Sequence, residues 1–406
     1  MEDEKLSGEL TRWAASHGAK IKGIAAHKFP GKGLGVIAER RLEAGETILE
    51  IPTSLIRTEF SLPKRIKKAI TTGDLHDGSV NGLLALELAQ DNSKAYALWR
   101  STLPSLTDTK ESMPLFWPTS LQDLLPPPAL ALLRKQQSKL HRDWTAVSGL
   151  YPNLTLEAYT HAWLLISTRT FYYTPPGQAA EDTPIADECL AIVPFGDYFN
   201  HSSSSSTSSP SSTTLKVNYS PTGYEFTTDA EVPAGAELFI SYGSHTNDFL
   251  LVEYGFILPA AENAHDAVAL DAVVLPLLSA EQKKALEREN YLGNYVLNNH
   301  QEGEDEGGSE SEVVCYRTTV ALRLLCMPTR KWRRGLASGF DDQDGFPGEV
   351  TVLLGNALSS YIEMAETSLT MISQLDNGSA SQRDMMTRRW DQILAQLMTV
   401  SHRIKL

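Results

Sequence analysis

Three short stretches carry residue types that can do chemistry. In "PGKGLGV", residues 30–36, Gly31, Gly33 and Gly35 let the backbone approach a ligand closely. In "DYFNHS", residues 197–202, an apolar segment ends on Asn200-His201, a pair rich in hydrogen-bond donors and acceptors. In "ELFISYGSHTNDFLLVEYGF", residues 237–256, Tyr242 precedes Gly243 and Tyr254 precedes Gly255. Two such tyrosines can bring hydroxyls and ring faces into one small pocket. Taken singly, each stretch also fits a plain structural role: a glycine-rich turn, a hydrogen-bonded histidine, tyrosines packed in a core.

The glycine spacing narrows the chemistry. It is G-x-G-x-G, not G-x-G-x-x-G, and no G-K-[ST] follows. Neither dinucleotide binding nor a Walker-type kinase is supported.

The elements that must position these residues are legible in part. Residues 33–51 read as two strands joined by a turn at "EAGE", with Gly45 supplying the turn. Leu84 and Leu88, then Leu156, Tyr159, Trp163 and Ile166, recur at helical spacing, and Thr155 is placed to cap the second run. "LLPPPAL" interrupts this helical block. Strand-like segments return at 189–195, 215–220, 224–232 and 238–243, and a helix is expected from about Asn247. Beyond 279 the pattern is helical, with a Ser279/Gln282 capping box and stripes through Leu354–Leu369 and Met386–Leu397. The serine run 202–214 and the acidic run 301–312 have disordered composition.

Composition bounds the answer. The 406 residues have a formal charge of −14, which disfavours free nucleic acid as a ligand and either attracts a basic protein partner or simply aids solubility. Cys189, Cys315 and Cys326 form no C-x-x-C pair, so neither a disulfide scaffold nor a cysteine-built metal site is expected. No apolar run is long enough to span a membrane and no secretory signal is visible, so cytoplasm or nucleus is expected.

In order and at their separations, "GKGLGVIAERRLEAGETILEIP", "DYFNHS" and "ISYG…NDFLLVEYGF" resemble the SET-domain methyltransferases. More narrowly, they resemble the group typified by Rubisco large-subunit methyltransferase. The resemblance implies an α+β fold: a SET-type core of short sheets with a knot-like crossing, a helical insertion and an all-α C-terminal domain. The implied division is 1–260 for the SET domain and 261–406 for a helical substrate-binding domain. Within the first, the β core would come from 21–60 and 187–258, and the insert from about 80–173.

The implied cofactor is S-adenosylmethionine. Gly33, Leu34 and Gly35 match the first cofactor loop, and Asn200 and His201 match the segment holding the adenosine end. Arg169 matches an arginine near the cofactor, although its place also suits a helix-end cation. Tyr254 and Phe256 join the cofactor set. Phe171, Asp197, Tyr242 and Tyr254 match the substrate channel, with Tyr242 as the catalytic residue beside the transferred methyl.

The implied activity is protein-lysine N-methylation by a monomer, with no metal. Likeness to fungal ribosomal-protein lysine methyltransferases points to a ribosomal or translation-related substrate. The alternatives are histidine methylation and a non-catalytic binding module. In the histidine branch an asparagine and a tryptophan occupy the positions of Phe171 and Gly196, which favours lysine. One departure is Lys32, where the family often carries an acidic residue.

Overall fold

A computed structural model describes residues 2–73, 75, 78–174, 189–203, 213–298, 314–338, 340 and 348–404. Most of the serine run and all of the acidic run 301–312 lie outside these residues. The chain divides into two compact units. One comprises Met1–Phe116, Leu133–Ser244 and Glu253–Gly255; the other comprises Trp117–Leu132, His245–Val252 and Phe256–Leu406. The α+β class is as expected.

The first unit is built on short strands. These are β1 (Lys20–Ile21), β2 (Ile24–Phe29), β3 (Gly33–Ala38), β4 (Thr47–Pro52), β5 (Thr170–Tyr172), β6 (Leu190–Ile192), β7 (Asn200–His201), β8 (Thr213–Thr214), β9 (Lys216–Ser220), β10 (Gly223–Thr227) and β11 (Glu237–Ile240). One sheet runs β1-β4-β10-β9, and a second runs β2-β3-β11-β7 with β8 also on β11. Strands β5 and β6 pair separately.

The turn expected between the two strands of residues 33–51 is present, with Gly45 at φ 77°. The strands themselves do not pair. β3 lies between β2 and β11, whereas β4 lies between β1 and β10. Each finds a partner distant in the chain, which a local pattern cannot report.

The helical insert packs on these sheets. Helices Val80–Gln90 and Leu156–Arg169 lie against each other and are joined by buried Asp143. That carboxylate accepts from the Ser79 amide (2.9 Å), the Ser79 hydroxyl (2.8 Å) and Trp163 Nε1 (2.8 Å). A buried charge so fully hydrogen-bonded braces the insert. Thr155 caps Leu156–Arg169 by accepting from the Ala158 amide at 3.2 Å, as expected from the sequence. The apolar core draws on both sheets and the insert, including Val36, Leu49, Leu84, Trp163, Phe199, Phe226 and Leu238.

The second unit is mainly helical. Its helices include Ala280–Arg288, Tyr316–Cys326, Gly348–Ser373 and Ala380–Ile404, beside the two-stranded pair β12 (Ala267–Ala269) and β13 (Val296–Asn298). The expected capping box of Ser279 and Gln282 is formed. At its centre Arg389, fully buried, donates to Asp248 (2.9 Å) and Asp266 (2.7 Å).

Candidate active site

The strand order brings the three motif stretches of the sequence to one place. β11 runs antiparallel to β3, with Leu238 opposite Val36. It runs parallel to β7, with Phe239 opposite Asn200 and Ile240 opposite His201. The two glycines of β3 serve different needs. Gly33 adopts φ 80°, a left-handed conformation that favours glycine. At Gly35 a Cβ would lie 2.7 Å from Asn200 Nδ2 and 2.7 Å from the Phe29 ring. Gly35 is therefore required for space, because β3 and the Asn200 side chain meet there.

Beyond β11 the chain delivers Tyr242. Its amide donates to His201 Nδ1 at 3.1 Å, which leaves Nδ1 unprotonated and puts the ring proton on Nε2. Its hydroxyl donates to the Phe199 carbonyl at 2.8 Å. The Tyr242 ring stacks on His201 (centroids 5.0 Å) and on Tyr254 (4.9 Å). Burial pushes the Tyr242 hydroxyl well above the usual phenol range and Tyr254 up to about 12. Both remain neutral phenols at physiological pH.

Beside Tyr242 opens a cavity of about 340 Å³ lined by Arg169, Phe171, Asp197, Phe199, Tyr242 and Tyr254, among others. Arg169 arrives at the last residue of helix Leu156–Arg169, and its Nη1 donates to the Asp197 carbonyl at 3.2 Å. A cation also suits that helix end. Phe171 packs edge-on against Tyr224 (5.6 Å) and Phe226 (6.0 Å), which presents an apolar wall.

Asp197 sits in a short 3-10 turn, Gly196–Tyr198, entered through Phe195 at φ 74°. A left-handed phenylalanine is strained, and its burial against Tyr198 keeps it there. One carboxylate oxygen of Asp197 accepts from Trp99 Nε1 at 2.9 Å. The other, Oδ1, and Arg169 Nε are buried with no hydrogen-bond partner among the described residues. Burial lifts the Asp197 pKa to about 6, against the opposing pull of the Arg169 charge and the Trp99 hydrogen bond.

Arg169, Phe171, Asp197, Tyr242 and Tyr254 thus share the cavity. Gly33, Leu34, Gly35, Asn200 and His201 are absent from its lining and are joined to it through β11 and the His201–Tyr242 contact. Phe256 belongs to the second unit, where its amide donates to the Leu250 carbonyl at 3.5 Å. Trp99 was not foreseen, since its only signal in "AYALWR" is an apolar residue in a helical stretch. Among the described residues no group of three or more His, Cys, Asp or Glu is arranged to hold a metal ion.

Comparison with known proteins agrees with this geometry. The SET domain family matches residues 33–243. SET domain-containing protein 4 of Mus musculus is 25% identical over 403 residues, covering 93% of this chain and 86% of that protein. Ribosomal lysine N-methyltransferase set11 of Schizosaccharomyces pombe is 23% identical over 398 residues, covering 93% of this chain and 92% of that protein. The structure of Rubisco LSMT bound to AdoMet matches with a TM-score of 0.62 at 14% identity, over 98% of this chain and 91% of that one. The last likeness is one of fold.

Proposed function

The chain belongs to the SET-domain family, and from that premise we propose that it is an S-adenosylmethionine-dependent protein-lysine N-methyltransferase. The observation that carries this reading is the cavity that Tyr242, stacked on His201 and Tyr254, shares with Arg169, Phe171 and Asp197. The cofactor fits the polar groups left over there. Arg169 Nε and Asp197 Oδ1 are a buried donor and a buried acceptor without partners. A zwitterionic ligand end and a cationic side chain are the groups that satisfy such atoms. Arg169 would hold the cofactor's carboxylate, Asp197 would face the substrate amine, and the β3 glycines with Asn200 and His201 would hold the remainder.

When bound, the cofactor supplies a methyl group on a positively charged sulfur. The chain's own residues align the acceptor and remove water. A lysine amine, with an ordinary pKa of about 10.4, must be neutral to attack, and burial favours that form. Tyr242 Oη donates to the Phe199 carbonyl, and a phenol oxygen can also accept an N–H from the amine. Because its pKa is raised, Tyr242 acts as an orienting phenol and not as a phenolate base. Aromatic rings lining the cavity, Phe171 and Tyr254 among them, favour the cationic product. Phe171 suits the apolar stem of lysine and offers no polar partner for an imidazole ring.

The substrate proposed is a basic, ribosomal or translation-related protein. Two observations support it: the name of the S. pombe relative and the net charge of −14, which complements a basic partner. A cytoplasmic or nuclear monomer is proposed with it. Mass spectrometry of ribosomal proteins from cells with and without this protein tests the reading. Loss of methylation at a ribosomal lysine is expected; an unchanged ribosomal methylation pattern overturns the substrate assignment.

A further inference from the structure

Glu237 is the first residue of β11, and its side chain meets both Asn200 and Lys32. Its Oε1 accepts from Asn200 Nδ2 at 2.7 Å. Its Oε2 faces Lys32 Nζ at 3.4 Å, and the Glu237 side chain is only 12% exposed. A carboxylate can only accept, so it dictates which end of the Asn200 amide turns toward it. Nδ2 is held inward, and Oδ1 is turned away as an acceptor that takes no hydrogen bond from the described residues. The amide has little room to swing, because it lies against Gly35, where even a Cβ would approach Nδ2 to 2.7 Å.

We propose that Glu237 is a positioning residue for S-adenosylmethionine, fixing the Asn200 side chain so that its oxygen receives an N–H or O–H of the bound cofactor. The inference rests on the methyltransferase reading above. Lys32, the departure from the family's loop, takes part by neutralising Glu237 from the outer side. Being 57% exposed, Lys32 contributes little of its own. The competing role for Glu237 is simple bracing of β11 against β7.

The test is calorimetric binding of S-adenosylhomocysteine to the purified full chain, with urea unfolding of each variant alongside. Glu237→Ala is expected to weaken binding about tenfold, the loss that follows when a charge-assisted hydrogen bond no longer holds its partner. Glu237→Gln, whose amide oxygen can still accept from Asn200, is expected to stay within about threefold of the parent. Because Glu237 acts through Asn200, the Asn200→Ala/Glu237→Ala double variant should bind no more weakly than Asn200→Ala alone. An unaltered affinity in Glu237→Ala with a lowered urea midpoint would assign the residue to bracing and overturn the proposal. Losses that multiply in the double variant would overturn it too. Failure of the parent chain itself to bind S-adenosylhomocysteine would instead strike the methyltransferase reading.

Discussion

Replacing Asp197 by asparagine should stabilise the protein while impairing it, and the stability gain should depend on pH in a defined way. The carboxyl has an ordinary value of 3.8 and stands at about 6 when folded, because it is buried. At about 1.4 kcal/mol per tenfold change in proton affinity, that displacement is worth about 3 kcal/mol. The sign follows from linkage. A carboxyl whose folded pKa is raised binds its proton more tightly folded than unfolded. Its favourable contribution is therefore present below about pH 4 and is lost as pH rises through about 6. Asparagine keeps the acceptor for Trp99 Nε1 and carries no charge to bury. The difference in unfolding free energy between variant and parent should be near zero at about pH 4 and reach up to about 3 kcal/mol at about pH 8. The full figure is an upper bound, because Arg169 loses its opposing charge. Urea unfolding across that range measures it, and other carboxylates cancel in the difference. Parallel stability curves with a constant offset would refute the reasoning.

Three further variants have defined expected outcomes. Tyr242→Phe should lower turnover about tenfold or more by freeing the substrate amine to misalign, with S-adenosylhomocysteine affinity little changed in calorimetry. The same change leaves the buried Phe199 carbonyl without its donor, at a cost of about 1–3 kcal/mol in urea unfolding. Gly35→Ala should weaken S-adenosylhomocysteine binding about tenfold or more, because the new Cβ meets Asn200 and Phe29 at 2.7 Å; binding equal to the parent would show that the strand tolerates it. In the second unit, Arg389→Met should cost about 3–5 kcal/mol in denaturant unfolding, since Asp248 and Asp266 are left buried and uncompensated.

What the sequence disclosed follows the range of the forces involved. Thr155 and the spacing of Tyr159, Trp163 and Ile166 announced helix Leu156–Arg169, because caps and helical stripes are local. Helix Glu2–Ser16 went unread. Leu10 and Ala14, both fully buried, carry its apolar face, yet all that was read from this segment is that no secretory signal is visible. The strands flanking Gly45 were legible as strands but not as members of different sheets, since one partner of each lies far along the chain. At the cavity, Arg169, Phe171, Asp197, Tyr242 and Tyr254 were reached through family resemblance. Trp99 and Glu237, which touch Asp197 and Asn200, were not, because those partners lie 98 and 37 residues away. Nothing in their immediate neighbours marks them.

The most direct test of the account is methyl transfer itself. The purified chain is incubated with radiolabelled S-adenosylmethionine and ribosomal proteins from cells lacking it, and the product is hydrolysed to amino acids. The account predicts label in methylated lysine, abolished or sharply reduced by Tyr242→Phe. Label recovered in methylhistidine, or no label in any protein with the parent chain, would contradict it.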